Sequence, residues 1–205
     1  MYQALTRSVS TILSADVSGF SRLISRNDVG AVLTINRHRH LIAQQVEQYY
    51  GRVVDMAGDS ILAVFDSSLN AVRCGLAMQE SLWARNRRLP VAERMCFRLG
   101  IDQGSVLHQG ERVYGEAVNT AARLQAIAPP GGVIISAAVY RQVLGLLPLK
   151  AEYQGERMLK NIPGRVASYR LFPRIGDCRQ EGDDSGPCTP SGLLAERPLA
   201  SMVQA

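Results

Sequence analysis

The chain has 205 residues, 46% of them hydrophobic and 20% charged, enough for one α/β domain with a real core and too short for two of ordinary size. Twenty-three Lys and Arg against eighteen Asp and Glu give a net charge of +5, which suits a polyanionic ligand without naming one and leaves nucleic acid open on charge alone. No run approaches the roughly 20 apolar residues of a membrane span, and residues 1–13 lack a signal peptide's long apolar stretch, so a cytoplasmic protein without a membrane span is expected.

Residues 1–10 read as a short N-terminal lead. Residues 10–15 (STILSA) read as a buried strand, and residues 28–50 carry Val32, Ile35, Ile42 and Val46 at helical spacing, broken off at Gly51. Residues 52–56 and 60–65 are β-rich runs separated by Ala57, Gly58 and Asp59, a hairpin turn that lifts Asp59 onto an edge. Residues 69–86 read as a helix and 96–107 as a long strand bent at Gly100 and Gly104. Residues 118–128 read as a helix that ends before Pro129 and Pro130. A short buried strand (133–136), a short helix (139–147) and a last strand (166–172) follow. From residue 174 the composition turns to Gly, Pro, Ser and charge with no sustained apolar period, which predicts a disordered tail over 174–205. The order β-α-β-β-α-β is the ferredoxin-like split unit of the α+β class, here with a C-terminal extension, so the folded domain is expected over 11–173.

Cys74, Cys96, Cys178 and Cys188 show no CxxC spacing and no scaffold density, so zinc and structural disulfides are not expected; Cys74 and Cys96 read as small core residues. His38, His40 and His108 show no metal spacing and read as surface residues, and the basic stretch 85–94 reads as a solvated helix end and loop. Asp16 ends an apolar strand and is followed by Val17, Ser18, Gly19 and Phe20, with Gly19 allowing a ligand close to the backbone. Alone it reads as a helix cap, and Asp59 alone as a turn residue. Strand 1 and the hairpin are neighbours in the split unit, however, so both carboxylates are expected at one end of the sheet, where two hard oxygen ligands can bridge a pair of magnesium ions. Asn119 and Arg123 stand at i and i+4 on one helix face, an amide and a guanidinium suited to a ribose oxygen and a phosphate, or simply the solvated side of an amphipathic helix.

The stretches ADVSGFSRL (15–23), GRVVDMAGDSILAVF (51–65), FRLGIDQGSV (97–106), RVYGEAVNTAARLQAIAPPGGVIIS (112–136) and LKNI (159–162), in that order, resemble the class III adenylate/guanylate cyclase catalytic domain. The resemblance implies a lyase that converts ATP or GTP to the 3′,5′-cyclic nucleotide and pyrophosphate with two Mg2+ or Mn2+ ions. It implies metal ligation by Asp16 and Asp59, and catalytic roles for Asn119 (ribose) and Arg123 (transition state). Substrate contacts follow at Gly19, Phe20 and Lys160, the last as a basic phosphate contact. In that family the site forms between two domains, so a head-to-tail homodimer with shared sites is implied.

Adenylate cyclases resembling this chain read the base with a lysine and an aspartate (or threonine), positions that fall here on Asp55 and Arg112, with both charges reversed. Guanine offers donors at N1 and N2 and an acceptor at O6, a pattern that Asp55 and Arg112 complement. Adenylate cyclase is thus the default by resemblance, with GTP a serious candidate. If Asp55 and Arg112 instead pair with each other, the alternative is a catalytically weak signalling module that binds nucleotide or a partner. RNA binding, and nucleic acid generally, is set aside: aromatics make up 6% of the chain and no stacking pair marks the central strands.

Overall fold

Continuous apolar runs mark the strands buried on both faces, and those strands form the middle of the sheet. The computed structural model describes residues 4–173 and the two-residue strands Cys178–Arg179 and Thr189–Pro190, which pair antiparallel; the rest of the 174–205 tail lies outside the described residues. The elements are β1 (Leu5–Val17), α1 (Phe20–Arg26), α2 (Asp28–Gln48), β2 (Gly51–Ala57), β3 (Ser60–Phe65), α3 (Ser68–Asn86), β4 (Phe97–Gln109), β5 (Arg112–Tyr114), α4 (Glu116–Ile127), β6 (Val133–Ser136), α5 (Ala137–Val143), β7 (Ala151–Met158) and β8 (Arg165–Leu171). The main sheet runs β2-β3-β1-β4-β6-β8-β7, with β5 paired to the end of β4. Its first four strands are antiparallel neighbours in the ferredoxin-like order, and β6 joins β4 in parallel to begin the extension.

The two faces are covered differently. Leu13, Ala15 and Val17 of β1 and Leu99 and Ile101 of β4 point into the main core, where they meet Ile35, Ile42 and Val46 of α2 and Val72, Met78 and Leu82 of α3. Ile12 of β1 points the other way and meets Ala117 and Ala121 of α4. The caps are local: Asn27 Oδ1 accepts from Gly30 N at 2.9 Å to start α2, and Ser136 Oγ accepts from Val139 N at 3.3 Å to start α5.

α4 lies directly on β4 because β4 carries glycine at positions 100 and 104 beneath it. A Cβ built on Gly100 would run into the Ala121 carbonyl oxygen and the Gln125 nitrogen, and one on Gly104 would lie 3.2 Å from the Ala117 methyl group. The glycines read from sequence as bends thus form the seat of a helix.

Several details depart from the sequence expectation. β1 begins at Leu5, since its first residues pair with the far end of β4 while remaining solvent-exposed, which leaves no apolar alternation to read. α1 and β5 are too short to show a period. His38 is fully buried rather than on the surface: its Nδ1 is 2.8 Å from the Thr34 carbonyl, its ring stands against Phe97, and burial lowers its pKa. Cys96, packed beside Trp83, is held in a disulfide, against the expectation of a cysteine used for packing alone; spacing in sequence does not reveal pairing in space. Among the described residues no helix is long and apolar enough to cross a membrane.

Gly100→Ala is expected to lower stability by about 1–3 kcal/mol, the usual cost of overpacking, measured by urea denaturation. A midpoint equal to that of the parent would show that α4 is not seated on this residue.

Candidate active site

β1 lies between β3 and β4, so its last polar residue has a neighbour on each side. Asp16 follows Ala15 and precedes Val17, both in the main core, so it points to the α4 side, partly exposed. In register with it on β4 is Arg98, whose Nη2 donates to Asp16 Oδ2 at 3.0 Å, an ion pair whose side chains are 26% and 20% exposed. From the β3 side Ser60 Oγ donates to Asp16 Oδ1 at 3.0 Å. Asp59 precedes Ser60 in the turn made by Gly58, whose φ of 58° is the left-handed conformation that glycine supplies without strain.

The turn brings the Asp59 carboxyl into hydrogen-bonding contact with that of Asp16. Partial burial, then the hydrogen bond to Asp16 and the repulsion between the two acids, push Asp59 above the ordinary aspartate range. The main-chain N–H groups of Asp59 and Val17 oppose the shift without cancelling it. The two aspartates singled out in the sequence are therefore side by side. Among the described residues no cluster of three or more His, Cys, Asp or Glu forms a ligand cage. A hard divalent cation on this pair would complete its sphere with water, main-chain and phosphate oxygens, which is the habit of magnesium, so the donor set fits it.

The chain leaves β1 through Ser18, whose N–H donates to the Cys96 carbonyl at 2.8 Å, and Gly19, whose φ of 70° turns the backbone into α1. Gly19 and Phe20 sit within four residues of Asp16. The half-buried Phe20 ring packs against the main core.

On α4, Asn119 is exposed and Arg123 half-buried one turn on. Arg123 Nε donates to the main-chain carbonyl of Lys160 at 3.1 Å. The Lys160 side chain is exposed, and its segment is anchored by the buried neighbours Leu159 and Ile162 against Leu124 of α4. Asn119, Arg123 and Lys160 thus form a second polar group. No hydrogen bond or ion pair among the described residues joins it to the acidic pair. Arg98 marks the distance: its Nη1 lies 3.4 Å from the Ala126 carbonyl near the end of α4. Asn119 is seven residues back along the helix, about 10 Å at 1.5 Å per residue.

Asp55 and Arg112 are both exposed, on β2 beside a bulge and on β5. The strands that carry them are tied by Arg52, whose Nη1 donates to the Glu111 carbonyl at 3.1 Å. Asp55 and Arg112 do not form an ion pair with each other; the pair recorded among the described residues is Arg98 with Asp16. Sequence reasoning missed Arg98 and Ser60, the two side chains that hold Asp16. The sequence places Arg98 in the FRLGIDQG stretch, but its partner follows only from the register of β4 on β1.

The chain matches the adenylate and guanylate cyclase catalytic domain family over residues 2–172. It is 33% identical over 173 residues to a putative adenylate cyclase of Rhizobium meliloti, covering 84% of this chain and 30% of that protein, so it spans under a third of that relative's length. An adenylate/guanylate cyclase/hydrolase from Silicibacter pomeroyi has the same fold at a TM-score of 0.77 and 32% identity, over 83% of this chain and 99% of that one. The guanylate cyclase domain of a Catenaria anguillulae protein, solved with GTP, superposes at a TM-score of 0.71 and 20% identity over 82% and 99%, a likeness of fold.

Because folded Asp59 takes up its proton more readily than the unfolded residue, its favourable contribution is complete at low pH and is lost as pH rises through the folded value. Asp59→Asn is therefore expected to raise the melting temperature of the cation-free protein near neutral pH by about 1–3 °C. The gain should shrink on acidification. Thermal melts in chelator across a pH series check this, and an Asn variant less stable than the parent at neutral pH would contradict it.

Proposed function

The chain belongs to the adenylate and guanylate cyclase catalytic-domain family, and from that premise we propose that it cyclises a nucleoside triphosphate to the 3′,5′-cyclic nucleotide and pyrophosphate. The observation that carries the reading is the contact between the Asp16 and Asp59 carboxyl groups at the rim of the sheet. Two acids pressed together in partial burial stabilise little by themselves; their arrangement makes sense as a seat for cations.

Two Mg2+ or Mn2+ ions on Asp16 and Asp59 would supply a lowered pKa for the ribose 3′-hydroxyl and neutralise the triphosphate and leaving pyrophosphate. The remaining work falls to side chains. Arg98, ion-paired to Asp16, holds its guanidinium at the acidic pair and would be available there to phosphate oxygens. Asn119 would orient the ribose, Arg123 would meet charge developing on the phosphorus, and Lys160 would add a phosphate contact. Arg123 is already braced on the Lys160 carbonyl, which limits the freedom of its long side chain. The backbone at Gly19 and Phe20 would line the phosphates.

The placement of Asn119 well back along α4 from Arg98 supports a head-to-tail homodimer in which each site takes its aspartates from one subunit and its α4 residues from the other. Asp55 and Arg112 would read the base. Their exposure and lack of mutual pairing favour an open base pocket over the weak-module alternative, and the arrangement of a carboxylate acceptor and a guanidinium donor fits guanine. GTP is therefore the substrate that these side chains support, against ATP as the default from resemblance.

Mixing is the direct test of shared sites. Asp16→Ala and Arg123→Ala are each expected to lower Mn-dependent cyclic nucleotide formation by about 100-fold or more, and an equimolar mixture should recover a part of the parental rate. Two inactive variants that stay inactive together would rule out sites built from two subunits. For the base, Asp55→Lys with Arg112→Asp is expected to move the GTP-to-ATP ratio of kcat/KM towards ATP by about tenfold or more; an unchanged ratio would show that these positions do not read it.

A further inference from the structure

The outer sides of α2 and α3 meet in a groove that plays no part in the cyclase reading. Two adjoining hollows of about 480 and 450 Å³ share Leu41 and Arg85, and their other walls include Arg37 and His40 of α2 and Arg88 just after α3. No Asp or Glu lines either hollow, and α2 carries no acid between Asp28 and Glu47. Among the described residues the recorded ion pair is Arg98 with Asp16, so no carboxylate there neutralises Arg37, Arg85 or Arg88. Guanidinium groups gathered around the half-buried Leu41 repel one another and favour an anion between them.

The chain itself supplies the anion. Beyond Pro173 the sequence carries Asp177, Glu181, Asp183 and Asp184 within eight residues, against the single base Arg179. The point of departure is close. Leu171 at the end of β8 pairs with Val133, and Val133 with Leu99, so the segment starts two strands, about 10 Å, from β4. Just before β4, Cys96 packs beside Trp83 of α3, and its neighbour Met95 is bonded to Asn86 at 2.8 and 3.1 Å. Asn86 directly follows Arg85. From Pro173 to Glu181 an extended chain spans up to about 28 Å, enough to reach the end of α3.

Cys96 marks the route. It is disulfide-bonded while Cys74 is free, which leaves Cys178 or Cys188 as its partner. These two cysteines stand on either side of Glu181, Asp183 and Asp184, so either bond ties the acids to the end of α3. Exposed ion pairs are weak when formed between separate molecules, but a tether supplies a high effective concentration.

We propose that the C-terminal segment after Pro173 docks on its own domain, its acids Glu181, Asp183 and Asp184 meeting Arg37, Arg85 and Arg88 in the groove between α2 and α3. The proposal does not rest on the cyclase reading.

The test uses the full, oxidised chain and the rate at which phenylglyoxal modifies each arginine, followed by mass spectrometry. Arg141 on α5, exposed and outside the groove, serves as the reference. Glu181→Gln with Asp183→Asn and Asp184→Asn is expected to speed modification of Arg85 and Arg88 by about fivefold, with Arg141 unchanged. In the parent, about 0.5 M salt should bring the same two rates up to those of the variant, since it screens the contact without any substitution. Both rates should stay constant over about a tenfold range of protein concentration, because the segment belongs to the same molecule. Equal rates in parent and variant, or a parent insensitive to salt, would overturn the proposal. Protection that grows with protein concentration would also overturn it, by assigning the groove to a second copy.

Discussion

Two carboxyl groups in contact repel unless a proton or a cation lies between them, and the rim of this sheet is built to keep them in contact. Asp16 is fixed by the pairing of β1 on both sides, and Asp59 by a glycine turn that closes the β2-β3 hairpin over it. That repulsion is relieved in two ways: Asp59 holds its proton above the ordinary range, and Arg98 and Ser60 take the Asp16 oxygens.

The second constraint is the bare face of β4. Gly100 and Gly104 bring α4 to backbone distance. Electrostatics on one side and sterics on the other thus serve a single purpose, to hold a few polar side chains at chosen places on a rigid sheet. α4 lies with its last turn near Arg98 and its first turn further along the strand.

Arg98 bridges the acids and α4: it donates to Asp16 with one nitrogen and lies against the Ala126 carbonyl with another. The opposite face, where α2 and α3 meet the sheet through Ile42, Met78 and Leu82, has an ordinary packed core and leaves the chemistry to the α4 side.

Local and periodic information was enough for much of this. The apolar runs in STILSA and SILAVF, the helical spacing through Val46 and through Leu82, and the turn at Gly58 are properties of neighbouring residues, so the split βαββαβ order and the meeting of Asp16 with Asp59 could be read before any coordinates. The pair Asn119 and Arg123 was legible for the same reason, since i and i+4 share a face in any helix. What the chain alone left open all depends on register and burial between distant segments. Arg98 finds Asp16 only because β4 pairs with β1 at that offset; Asp55 and Arg112 stay apart only because a bulge and a short strand place them so. His38 is buried and Cys96 bonded although nothing adjacent to them announces it. Contacts made across about a hundred residues of chain have no period to betray them, so composition and spacing determined which groups this protein possesses, and the packing of α4 on β4 and of β1 between its neighbours decided which of them meet.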